Sequence, residues 1–113
     1  MERIARAVPV KSKQALTDFL SEYQTRIDKG DSDPLFEGFG SGSERWYYQE
    51  IEGKPYIIAV TEGDAVTAGY DQYPHTEDEF FEWFSKSIGE LSGIDLRQTP
   101  TGATSELVFE IVN

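Results

Sequence analysis

His75 is the one histidine in a chain that has no cysteine, and Tyr70, Asp71 and Tyr73 stand just before it. An imidazole titrates near neutrality without help, so this cluster has the parts of a general acid or base for a small substrate. The same place, beside a helix start, also suits plain surface. One imidazole without thiolates does not make a zinc site, and no other metal or cofactor signature is present, so any chemistry is expected to be cofactor-free. Gly38, Gly40 and Gly42 alternate, but no Lys and Ser/Thr follow in the order that cradles a phosphate. Gly40-Ser41-Gly42-Ser43 lacks the strand-to-helix elbow of a nucleophilic serine. Glu77, Asp78, Glu79 and Glu82 crowd a helix N-terminus, where carboxylates complement the dipole and need no catalytic role.

Elements must hold these groups, and hydrophobic spacing predicts six of them. A first strand, Arg3 to Val10, is followed by a helix from Ser12 to Lys29. Leu16, Phe19, Leu20, Tyr23 and Ile27 form that helix's buried stripe, with Ser12 as N-cap and Gly30 as stop. Asp31 to Glu44 reads as a loop anchored by Phe36 and Phe39. Two strands, Arg45 to Ile51 and Tyr56 to Glu62, share the turn Glu52-Gly53-Lys54-Pro55. Thr76 and Glu79 form a capping box for a second helix that ends at Ser92, with Phe80, Phe84, Ile88 and Leu91 buried and Gly93 as stop. A last strand, Glu106 to Val112, alternates Leu107, Phe109 and Ile111 on one face. The order βαββαβ is that of an α+β, ferredoxin-like domain with a four-stranded antiparallel sheet, spanning residues 1–113 as one unit.

Helices cover one face of such a sheet, and the other must meet a ligand, a partner or a second copy. Ile4, Arg6 and Val8 are expected on the open face with Glu106, Val108, Glu110 and Val112, where Arg6 pairs with Glu110 or Glu106 across strands. Such a pair fits either a wet pocket or a solvated surface contact. In Arg45-Trp46-Tyr47-Tyr48-Gln49-Glu50, alternation sends Trp46, Tyr48 and Glu50 one way and Tyr47, Gln49 and Ile51 the other. One set should reach the open face, to bind a small polar ring or to pack against a partner. Arg6, Tyr48 and Glu110 are therefore the candidate ligand-binding residues, with His75 nearby.

With 113 residues and a net charge of −11, the chain has one core and a field that repels nucleic acid and anionic membranes. The acidity suits a high-salt cytosol as well as an ordinary one. No run of roughly 18 apolar residues and no signal-like start is present, so the expected compartment is cytoplasmic.

The element order, the hairpin, the aromatic run Phe80-Phe81-Glu82-Trp83-Phe84 and the terminal Ser105-Glu106-Leu107 resemble the dimeric α+β barrel superfamily over nearly the whole chain. Within it, Glu22-Tyr23-Gln24 followed by Arg26 is similar to L-rhamnose mutarotase. In that family a histidine follows the tyrosine matching Tyr23, whereas Arg26-Ile27-Asp28 has none, which places the chain nearer other small families of the superfamily. The resemblance implies a homodimer joined through the open sheet faces, with a cavity in the barrel or between sheet and helices. On the enzymatic reading, an isomerase or lyase without cofactor, His75 or Tyr23 moves a proton and Arg6 holds an anionic or hydroxyl group. On the non-catalytic reading, the dimer consumes the bare sheet and the chain is an assembly domain.

Overall fold

The computed structural model describes residues 1–40, 42–72, 75–97 and 105–113. Among them run β1 (Glu2–Pro9), α1 (Lys13–Asp28), α2 (Asp33–Gly38), β2 (Ser43–Ile51), β3 (Lys54–Gly63), α3 (Val66–Gln72) and α4 (Glu79–Ser92). The three strands pair antiparallel in the order β1-β3-β2. That is an α+β fold whose strand and helix order is compatible with a ferredoxin-like arrangement. The expected fourth strand does not appear, because residues 105–113 form no ladder and are exposed throughout.

Two unexpected short helices interrupt the regions read as irregular. α2 starts with Pro34 in its first turn, where the missing N–H costs nothing. α3 occupies the stretch after β3 and buries Val66, Gly69 and Tyr70. The stripe of α1 is buried at Leu16, Phe19 and Tyr23, and Ser12 caps it by accepting from the Ala15 N–H at 3.1 Å.

The cap of α4 differs from the capping box expected at Thr76. Asp78 is the N-cap, its Oδ1 accepting from the Phe81 N–H at 2.6 Å, while the Thr76 hydroxyl donates to the Gln72 carbonyl. A carboxylate both accepts this bond and meets the positive helix end, so it outcompetes a hydroxyl two residues earlier. Asp78→Ala is expected to cost about 0.5–2 kcal/mol, measured by urea unfolding. Thr76→Ala should cost clearly less; the reverse ranking would restore the Thr76 cap.

α1 and α4 cover one face of the sheet through an aromatic cluster. Phe19 stacks on Trp46 of β2 at 5.8 Å and on Trp83 of α4 at 5.5 Å, and Tyr23 lies 5.3 Å from Phe84. Arg26 locks the outer side: its guanidinium sits 4.6 Å over Trp83 and donates to both Glu79 carboxylate oxygens. No helix among the described residues covers the opposite sheet face. Its rows, read from the register, are Arg3-Glu62-Ser43, Ala5-Val60-Arg45, Ala7-Ile58-Tyr47 and Pro9-Tyr56-Gln49.

Candidate functional site

The helix-facing rows are Ile4-Thr61-Glu44, Arg6-Ala59-Trp46 and Val8-Ile57-Tyr48. Arg6 therefore lies on the covered face with Ile4 and Val8, contrary to the open-face expectation. Strand alternation leaves only two choices, and the set with the larger apolar side chains went inward and took Arg6 with it. The middle row has Ala59 between two large residues. The short side chain leaves a hollow between sheet and helices, a cavity of about 50 Å³. Arg6, Val8, Glu44, Trp46, Ile57 and Ala59 line it from the sheet; Tyr70, Phe84 and Ile88 from the helices; Ile94 and Leu96 close it beyond α4.

Its polar wall is a connected chain. The Trp46 indole N–H donates to Glu44 Oε1 at 2.6 Å, and the Thr61 hydroxyl donates to Glu44 Oε2 at 3.2 Å. Thr61 is itself 2.8 Å from the Tyr70 hydroxyl, and the Arg6 guanidinium carbon lies 5.2 Å from the centre of the Tyr70 ring. Enclosure of the carboxyl raises the Glu44 pKa above its ordinary value, against the pull of its two hydrogen bonds and of the Arg6 charge. Burial also raises the Tyr70 phenol, aided by the Glu44 charge and opposed by the Thr61 hydrogen bond and Arg6. This wall can donate a proton or hydrogen bonds to an oxygen and set a positive charge beside it.

The residues singled out from sequence are dispersed. Arg6 reaches the cavity. Tyr23 is buried in the aromatic cluster with its phenol pKa raised by burial, which keeps it protonated. Tyr48 is on the covered face but at its end, under the Lys13 ammonium at 5.2 Å. His75 is exposed and Glu110 lies on the exposed terminal segment; neither lines the cavity. The Arg6–Glu110 ion pair is not among the ion pairs of the described residues.

Glu44 and Thr61 escaped the sequence reading, and Tyr70 entered it only as a neighbour of His75. For Glu44 the signal was a strand two residues longer at its start: alternation from Trp46 back to Glu44 puts a carboxylate on the covered face. Among the described residues, no cluster of three or more His, Asp or Glu side chains is placed to hold a metal ion. No helix among them is long and apolar enough to cross a membrane.

The chain matches no protein-family model, no curated protein and no solved structure. The reading of its function rests on the geometry of the site.

Proposed function

We propose that this chain is a cytoplasmic homodimer of ferredoxin-like protomers, and that each protomer binds a small polar molecule at the Glu44 cavity. The observation that carries the reading is the enclosed carboxyl of Glu44, tied through Thr61 to Tyr70 and faced by Arg6 on one hollow. Buried polar chains of this kind are costly unless fully satisfied, and this one, bonded within itself from Trp46 through Glu44 and Thr61 to Tyr70, borders the hollow. The hollow holds the volume of about one or two water molecules at some 30 Å³ each. It therefore suits the hydroxyl or carboxyl end of a ligand whose remainder lies toward the rim. Dimerisation through the bare sheet is supported by its apolar centre, Ala5, Ala7, Ile58 and Val60, with Tyr47 beside it 56% exposed.

The raised Glu44 pKa favours a second, catalytic use of the same site. A neutral carboxyl donates a proton to a ligand oxygen and, as carboxylate, takes one back, which is the work of an isomerase that needs no cofactor.

A panel of short hydroxy acids and monosaccharides, scanned by thermal shift, tests the binding. At least one member should stabilise the protein. Glu44→Gln should abolish the shift, and Ala59→Val should do so by filling the hollow while leaving the fold intact. Stabilisation that survives both variants would place the ligand elsewhere.

The pH dependence follows from the same carboxyl. Its folded pKa lies above the ordinary 4.5, so the native state keeps the proton over a range where the unfolded chain has lost it. The contribution of this group to stability is whole below the unfolded value and is lost as pH rises through the folded one. Urea unfolding from acid to neutral pH should show a decline with rising pH that is smaller in Glu44→Gln. Parallel curves for the two proteins would contradict the raised pKa.

A further inference from the structure

We propose that residues 105–112 of one copy pair antiparallel with the free edge of β1 in a second copy, each copy giving and receiving one strand. The edge is identified by one bond. The Ala5 N–H donates to the Ser105 hydroxyl at 3.2 Å, so it points away from β3, and alternation puts the backbone groups of Arg3 and Ala7 on the same open side. Among the described residues no strand pairs with this edge of β1, and an unpaired strand edge is a template for another strand. The segment has the matching pattern: Leu107, Val108, Phe109, Ile111 and Val112 are 74% to 83% exposed, with Glu106 before them and Glu110 among them.

Its own β1 is a poor partner from where the segment begins. An antiparallel strand continued from beside Ala5 meets only the Glu2 to Ala5 half of β1. It would also turn Glu106 and Glu110 toward the helix layer and leave Leu107, Phe109 and Ile111 on the bare face, because one step of register exchanges the two faces. A strand arriving from a second copy is free of that anchor. Set with Val108 opposite Ala5, it covers β1 from Glu2 to Ala7 with residues 106–111. Phe109 then faces Ile4 in the apolar layer, and Glu110 faces Arg3, whose side chain is 66% exposed even with its bond to Glu62. The Ser105 bond is exposed, and the backbone pairing replaces it. A reciprocal exchange closes both edges under a twofold axis.

Because the chain has no cysteine, Ala5→Cys and Val108→Cys introduce its only thiols. Under mild oxidation the full-chain double variant is expected to run as a disulfide-linked dimer on non-reducing gels. An equimolar mixture of the two single variants should give the same covalent pair. A cross-linked monomer would show that the strand lies on its own β1 and would overturn the exchange. Absence of any cross-link would overturn it as well. In that case light scattering keeps the two dimer proposals apart: a persisting dimer mass removes the exchange alone and leaves the sheet-face dimer standing.

Discussion

Phe81→Ala is expected to lower the unfolding free energy by about 3–5 kcal/mol. A domain of ordinary stability has about 5–15 kcal/mol in all, so this one change removes a large part of it. Phe81 has no exposed surface, and its ring packs 6.4 Å from Phe84, which lines the cavity. On its other side the Arg97 guanidinium sits 4.9 Å from the ring centre, and Arg97 donates to the Glu82 carboxylate at 2.6 Å and to the Thr76 carbonyl at 2.9 Å. The ring thus holds α4 and the residues after it, which bring Ile94 and Leu96 to the cavity wall. Trp46 and Trp83 both belong to the aromatic cluster, so urea unfolding followed by tryptophan fluorescence reads the loss directly. A cost below about 1 kcal/mol would be that of a surface change, and would mean that the ring does not seat α4.

Gly63→Ala is the second large effect, for a different reason. A β-carbon at Gly63 would overlap the backbone carbonyl oxygen of Phe39 and crowd Val66. That carbonyl accepts from the Ala65 N–H at 3.2 Å, so it cannot rotate away cheaply. A β-carbon at Gly69 would overlap the Phe39 ring just as closely, and the two glycines make the slot in which Phe39 lies 5.0 Å from Tyr70. Overpacking costs typically about 1–3 kcal/mol and more where backbone must move. Gly63→Ala should reach or pass the top of that range. It should also weaken ligand binding, because displacing Phe39 moves Tyr70 off Thr61. Gly38→Ala is the control: nothing lies within 4 Å of its added carbon, it sits in α2, and its stability should stay within about 1 kcal/mol of the parent. Equal stability for the two variants would mean that the Phe39 segment does not rest on β3.

Much of the fold was legible because it is local. Leu16, Phe19 and Tyr23 of α1 and the stripe from Phe80 to Leu91 are buried as their spacing requires, whereas Leu20, expected in the same stripe, is exposed at its edge and Ile27 is half-buried; Gly93 ends α4 with φ 80°. The hairpin sits at Glu52-Gly53, where both residues take positive φ. α2 and α3 were missed because six or seven residues make no more than about two helical turns and are too few to show a period; they are held by packing around Phe39 and Tyr70. The Glu106 to Val112 pattern is that of a strand, yet alternation alone does not say which edge a strand pairs with, and the segment forms no ladder with its own β1.

By itself the sequence determined the elements whose signal repeats within a few residues: two amphipathic helices, their glycine stops, the hairpin and the alternating strands. Only the tertiary structure decided which face of β1 turns inward and which residues stand side by side on it. Arg6, Ala59 and Trp46 form one row through pairings more than ten residues apart in sequence, as do Ile4, Thr61 and Glu44. The cavity and its polar chain are products of that register, because a small residue makes a hollow only where its neighbours across the sheet are large.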